Sequence, residues 1–291
     1  MKKSPLVYII LINWNGYLDT IECIKSLKSI NYSNYEIIVV DNNSGNNESK
    51  KIKKEFPGVF LIQNRENLGF CKANNQGIKY SIKNHAEYTL LLNNDTTVDR
   101  EFLKRLINVV EKYSNIGLAS AKTLSYFSNK ILFSKGKHYD FFGISILGKK
   151  ELKEDIEESD FLSGCVLLIR NKVIKKIGYL DEDYFAYLED VDFSRRVKKA
   201  GYDIVVVKNS VIWHKKSSSA GYINSKKISS IQAYLQMRNT ILFIRKHYSR
   251  LLQFIYIPIN IIFKGGYLFY NLDREVDSNK LIRGIKDGIQ K

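Results

Sequence analysis

The chain is short of cysteine, proline and acid, and each shortage narrows what it can be. Its three cysteines, Cys23, Cys71 and Cys165, lie far apart and form no Cys-x-x-Cys pair. That argues against a disulfide framework or a structural zinc site and fits a reducing, cytosolic setting. Only three prolines occur and 44% of the 291 residues are hydrophobic, which argues against extended disorder. One large α/β domain with an appendage, or two small domains, is within reach. No Gly-x-Gly-x-x-Gly follows the first apolar run and no Gly-x-x-x-x-Gly-Lys-Ser/Thr loop occurs. These absences count against a nicotinamide dehydrogenase and a P-loop phosphotransferase. The apolar run Leu6–Ile12 is short and strand-like, unlike a signal peptide, and the chain shows no internal repeat or low-complexity tract.

Acids number 30 against 46 Lys and Arg, a formal charge of +16. From Lys208 to Lys291 there are 15 basic residues and four acids, so +11 of the excess lies in the last 84 residues. Such a surface attracts polyanions, either nucleic acid or lipid headgroups. The same region carries Leu251–Phe263 and Gly265–Tyr270, apolar and aromatic, and aromatics beside lysine and arginine favour a membrane surface over nucleic acid. Pro258, Lys264 and Gly265-Gly266 are expected to interrupt a spanning helix. The alternative is an amphipathic packing helix or a homodimer contact.

Strand and helix patterns alternate over the first hundred residues. Strands are expected at Leu6–Ile12, Tyr35–Val40, Val59–Gln63 and Tyr88–Leu92. Helices are expected at Tyr17–Ile30, Asn47–Phe56 and Gly69–Ile82, the first with Leu18, Ile21, Ile24 and Leu27 on its apolar face. That order implies a parallel sheet with right-handed crossovers. Further on, Arg100–Tyr113 and Asp190–Ala200 read as helices, and Gly117–Thr123, Phe161–Arg170, Ile204–Val207 and Val211–Trp213 as strands. Ser125–Asp160 is irregular, and Ser217–Ala220 is small, polar and expected to be mobile. Residues 1–222 are expected to form the main domain, with halves 1–97 and 98–222, and residues 223–291 a basic, helical tail.

Polar residues gather where the expected strands end: Asn13-Trp14-Asn15-Gly16, Asp41-Asn42-Asn43-Ser44, Asn64–Gly69 and Asn93-Asn94-Asp95. In a parallel sheet these ends open onto one rim, where α/β proteins place ligands. A lone aspartate among neutral oxygen donors, as at Asp95, suits a hard divalent cation that also holds phosphate oxygens. An Asx turn that ends the strand is the plainer reading. In Tyr184–Arg196, aromatics lead into Glu189, Asp190 and Asp192 at a helix start. One acid suffices as a cap, which leaves a carboxylate to accept a proton. His214, after Val211-Ile212-Trp213, could ligate Mn²⁺ or donate to a diphosphate oxygen.

The ordered set Val7–Gly16, Val39–Ser44, Arg65–Phe70, Ala73–Gly77, Leu91–Asp95 and Tyr187–Asp192 resembles the family 2 glycosyltransferases, most closely the rhamnosyltransferase branch. The resemblance implies a GT-A fold (α/β, a mostly parallel sheet flanked by helices) and inverting sugar transfer from a nucleoside diphosphate donor to a hydroxyl. It implies that Asp95 ligates Mg²⁺ or Mn²⁺ where the family's Asp-x-Asp falls on Asn93-Asn94-Asp95, with Asn93 touching ribose or metal-bound water. It implies that Asp41 reads uracil or thymine, that Asn13 and Asn15 border the nucleoside, and that Arg65, Asn67, Gly69, Asn74 and Asn75 line the donor. Asp190 falls on the acid taken as catalytic base, with Glu189 the alternative, and His214 or Lys215-Lys216 would help the leaving group.

A UDP- or dTDP-sugar, dTDP-rhamnose among them, is therefore the expected donor. A glycan or polyprenyl-linked molecule in surface polysaccharide synthesis is the expected acceptor, at the inner face of the plasma membrane, with no nucleic-acid partner. A sugar-phosphate nucleotidyltransferase would need a glycine-rich, basic loop after the first strand, which Asn13–Gly16 does not supply. A basic membrane- or RNA-binding module is the non-enzymatic alternative.

Overall fold

A computed structural model describes residues 4–139, 144–215, 227–272 and 279–290; the expectations for Lys216 and for Ser217–Ala220 lie outside the described residues. The first half alternates β1 (Val7–Asn13), α1 (Tyr17–Leu27), β2 (Tyr35–Asp41), α2 (Glu48–Glu55), β3 (Phe60–Gln63), α3 (Gly69–Lys83) and β4 (Tyr88–Asn93). These four strands are parallel, in the order β3-β2-β1-β4. Register levels their ends: Asn13 pairs with Asp41, Ile12 with Asn93, and Asp41 with Gln63. The polar residues after each strand therefore emerge on one rim.

The second half adds β5 (Thr96–Val98), α4 (Phe102–Lys112), β6 (Ile116–Ser125), β7 (Ile131–Phe133), β8 (Lys135–Tyr139), β9 (Ile144–Gly148), β10 (Ile156–Glu158), β11 (Val166–Arg170), α5 (Asn171–Ile177), α6 (Glu189–Lys199) and β12 (Asp203–His214). The sheet continues β4-β11-β6-β12-β10, with β11 antiparallel to both neighbours and β6 parallel to β12. Apolar side chains of α1, α2 and α4 cover one face, and those of α3, α5 and α6 the other. Both faces are buried, which is why β1 and β4 read as continuous apolar runs.

Several expectations change. The strand expected at Phe161–Arg170 begins only at Val166, because Gly164 turns its N–H out of the ladder toward Asp190. The two strands expected after Ile204 are one, β12, with a register shift between Val207 and Val211. The segment Ser125–Asp160 is not irregular throughout, since it holds β7, the β8–β9 hairpin and β10. Leu18 is 78% exposed. Three-residue steps advance 300° around a helix, so the first of four such positions drifts off the buried face, and Thr20 and Cys23 take its place.

The tail comprises α7 (Ser230–His247), α8 (Arg250–Asn260), a π-helical turn Ile261–Gly265, α9 (Gly266–Asn271) and α10 (Asn279–Gln290). The expected interruption does not break the chain: the helical run is continuous over Arg250–Asn271, with a wider turn at Ile261–Gly265 beyond Pro258. This run is long and apolar enough to cross a membrane by length and composition, and only 22% of its apolar 18-residue stretch is buried. Helix α7 belongs to two cores. Leu242 and Phe243 pack into the sheet's second face, while Met237 and Ile241 join Leu268 and Leu281 in a separate cluster. Gly284 and Gly288 let α10 lie against the α7 backbone, where a Cβ would come within 2.7 Å of the Tyr234 carbonyl and 3.0 Å of that of Arg238.

Candidate functional site

The levelled strand ends enclose a cavity of about 400 Å³. One wall is the β1 and β2 ends with Trp14 and Asn42, and the lining is completed by Asn67, Gly69 and Asn74, by Asn93, Asn94, Asp95 and His214, and by Glu189 and Asp190 at the start of α6. Gly69 is required there: its φ is +78°, and a Cβ would lie 2.5 Å from the Phe185 ring and 2.6 Å from the Phe185 carbonyl.

Asn42 organises the donor-side loops. Its Nδ2 donates to Asn67 Oδ1 at 2.7 Å, and its Oδ1 accepts from Asn64 Nδ2 and the Leu68 N–H, both at 3.0 Å. Asp41 and Asn13 lie behind this wall, fully buried. Asn13 Nδ2 donates to Asp41 Oδ1 (2.8 Å), and Asp41 Oδ2 accepts the Ser44 N–H (3.1 Å). Both thus hold the turns that carry Trp14 and Asn42.

The acids of α6 follow two consecutive residues with left-handed backbones, Tyr187 (φ 72°) and Leu188 (φ 70°). Such conformations cost energy and aim the helix start into the cavity. Asp190 Oδ2 accepts the Gly164 N–H at 3.0 Å and its Oδ1 the Val191 N–H at 2.8 Å. Burial raises the Asp190 carboxyl above its ordinary value, and those two N–H donors oppose the rise. Glu189 is pushed up further, to about 8, by burial first and then by the neighbouring Asp190 charge. Its Oε2 is buried with no hydrogen-bond partner among the described residues. Burial and the neighbouring charge thus favour a proton on Glu189, while two N–H donors favour the carboxylate form of Asp190.

Asp192 is structural. It takes His247 Nε2 at 2.7 Å and Arg196 Nε at 2.8 Å while almost fully buried. Burial raises its carboxyl, but those two partners outweigh burial and hold it below the usual range.

His214 Nε2 lies 2.9 Å from Asp95 Oδ1 and 3.5 Å from Asn93 Nδ2. The pairing follows from β12 and β5 running antiparallel, with His214 opposite Thr96. Two ligands in adjacent octahedral positions, each about 2.1 Å from an ion, stand about 3.0 Å apart. The Asp95–His214 separation fits that, as it also fits a direct hydrogen bond. Among the described residues no cluster of three or more His, Cys, Asp or Glu has metal-ligating spacing, so phosphate oxygens and water would complete the sphere, as Mg²⁺ usually requires.

The structure thus brings Asp95, His214, Asn93, Asn94, Asn67, Gly69, Asn74, Glu189 and Asp190 to one cavity. Four expected residues stand elsewhere, besides Asp41 behind the wall. Asn13 is buried beneath the rim. Asn75 pins the loop before α6 by exchanging hydrogen bonds with Leu180. Asn15 is exposed and ties Gly45 (2.9 Å), and Arg65 is exposed outside the lining. Lys215 does not face the cavity either, because Asp19 and Glu22 hold it at 2.8 and 2.5 Å. Two contributors went unassigned in the sequence: Asn42, and the aromatic lip of Trp14 and Phe185. For Asn42 the signal was present, one residue past the aspartate that drew attention.

Comparison with known proteins agrees with this geometry. A sequence family described as Glycosyl transferase family 2 matches residues 8–178. The low-salt glycan biosynthesis hexosyltransferase Agl10 of Haloferax volcanii is 26% identical over 261 residues, covering 88% of this chain and 81% of that protein. The dTDP-rhamnosyl transferase RfbF of Shigella flexneri is 23% identical over 257 residues, covering 84% and 82%. Among solved structures, GalNAc-T7 with UDP, GalNAc and Mn²⁺ superposes with a TM-score of 0.71 at 13% identity, over 99% of this chain and 55% of that one.

Proposed function

The chain belongs to the family 2 glycosyltransferases, matched over more than half its length, and from that premise we propose the reaction its cavity performs. A sugar passes from a nucleoside diphosphate donor, rhamnose from dTDP-rhamnose being the first to test, to a hydroxyl of a glycan or polyprenyl-linked acceptor. The observation that carries this reading is the meeting of Asp95 and Asp190 in one cavity of donor size. Trp14, on the lip, offers a face for the base, and the amides of Asn67 and Asn74 offer hydrogen bonds to ribose and sugar.

Asp95 and His214 would hold Mg²⁺ or Mn²⁺, which when bound neutralises charge on the departing diphosphate. Asp190 receives the acceptor hydroxyl proton while the new bond to the anomeric carbon forms. A carboxylate is too weak to ionise the alcohol beforehand. Attack from the α6 side, opposite the diphosphate, inverts the anomeric centre. The neutral Glu189 keeps a second negative charge away from the nucleophile.

The exposed apolar side chains Leu251, Phe254, Phe263, Tyr267 and Tyr270, beside the basic residues of the tail, support seating at an anionic bilayer surface, where a lipid-linked acceptor resides. The test is protection from thermal unfolding by UDP or dTDP, with and without Mn²⁺, followed by release of nucleotide from candidate donors. No protection by either nucleotide at millimolar concentration overturns the reading.

A further inference from the structure

A second cavity, of about 510 Å³, opens on the other side of α6, between that helix, the β8–β9 hairpin and α7. Four cations line it: Lys137 from the hairpin and Arg195, Lys198 and Lys199 from α6. The lone carboxylate of the lining, Asp160, is shared between Lys137 at 3.2 Å and Lys198 at 3.6 Å. The net charge of this small space is therefore strongly positive. Residues 195, 198 and 199 stand at i, i+3 and i+4, so their cations repel one another on a single helix face.

Arg195 is preset. Its guanidinium lies 4.8 Å from the Tyr248 ring centroid and 5.7 Å from that of Phe243, and it donates to the Tyr248 hydroxyl at 3.3 Å. A planar donor held against aromatic faces, ringed by lysines, is built to receive phosphate oxygens.

The order along the molecule identifies the anion. Helix rise puts Arg195 about 8 Å and Lys199 about 14 Å along the α6 axis from Asp190. On the far side, Tyr248 packs against Tyr256 of α8 (5.0 Å between centroids), the helix that exposes Leu251 and Phe254. Reacting carboxylate, cationic cavity and exposed apolar helix thus follow one another. That is the order of hydroxyl, phosphate and hydrocarbon in a lipid-linked sugar.

We infer that this cavity binds the phosphate or diphosphate ester of the acceptor, apart from the donor diphosphate at Asp95. Only the identity of the anion's carrier rests on the transferase reading; the anion site itself stands on the cavity. The test is titration of the full chain with inorganic pyrophosphate in EDTA, beside a separate titration with UDP or dTDP plus Mn²⁺. Lys198→Glu/Lys199→Glu, on exposed positions, should weaken pyrophosphate at least tenfold and leave nucleotide binding unchanged. Asp160→Asn should strengthen pyrophosphate binding, because the competing carboxylate is gone.

Competition by phosphatidylglycerol vesicles would assign the site to bilayer headgroups, and competition by a short-chain prenyl diphosphate sugar, without effect of vesicles, to the acceptor. Both would support a phosphate-ester site. Pyrophosphate that fails to bind the wild-type chain, or binds all three proteins alike, overturns it. Loss of nucleotide binding with pyrophosphate binding intact would instead sink the transferase reading.

Discussion

Replacing each acid of the Glu189–Asp190 pair by its amide separates their roles. Asp190→Asn removes the proton acceptor, and a positioned base contributes about 10²–10⁴-fold. It also presents an NH₂ group to one of the two backbone donors, Gly164 N or Val191 N, that the carboxylate now satisfies. Leaving such a donor unmatched costs about 1–3 kcal/mol, so turnover should fall by at least ~10²-fold with a modest loss of stability. Glu189→Gln resembles the protonated acid already present and should keep turnover within about tenfold, well short of the loss of a base.

The amide pair differs again in its dependence on pH. Glu189 has a folded value near 8 against an ordinary value of 4.5. As pH rises through that interval, the unfolded chain gives up its proton first and the folded one retains it. Stability from this group is complete below 4.5 and declines toward 8. Glu189→Gln removes the decline, so its melting temperature should exceed wild type at pH 8 by more than at pH 5. Steady-state nucleotide release and thermal melts across pH 5–8 measure both effects. Abolished turnover in Glu189→Gln at every pH, with Asp190→Asn active, would refute the division of charge described above.

Further outcomes follow from other contacts. Asp95→Ala should abolish the part of nucleotide-induced stabilisation that EDTA removes, and His214→Ala should raise the metal concentration needed, both read by thermal shift. Gly69→Ala places a Cβ against Phe185 in a left-handed backbone, costs about 1–2 kcal/mol for the conformation alone, and should raise the donor KM more than it lowers kcat. His247→Ala leaves the buried Asp192 carboxylate with Arg196 as its remaining partner and should cost about 1–3 kcal/mol in denaturant unfolding. Asp192 titrates below its ordinary 3.8 in the folded chain. Its contribution is present above 3.8 and lost as pH falls through the lower folded value, so His247→Ala should narrow the gap to wild type only under strongly acid conditions.

Much of the donor half was legible because both its signals are local. Apolar runs of strand length end in Asn, Asp and Gly, and parallel topology alone brings those ends level. Strand direction carries no such mark, so β11, an apolar run like β4, gave no sign that it runs the other way. Nor does residue type say where a polar side chain points. Asn13, Asp41 and Asn75 carry the same chemistry as Asn67 and Asn74, yet the first three hold loops outside the cavity lining and the last two belong to it. The left-handed pair Tyr187-Leu188 was hidden for a related reason, since neither glycine nor proline announces it. The metal pair lay between: Asp95 was marked by its strand, while His214 needed β12 and β5 to be seen side by side.

Helix α7 makes the tail part of the catalytic machinery's frame. The family match covers residues 8–178, while further along Leu242 and Phe243 plug the sheet's second face and His247 clamps the residue two places beyond Asp190. A chain cut back before α7 would open that face and release the clamp together. A tilt of the outer helices would reach α6 through that lever, because Asp192 is held by His247 of α7.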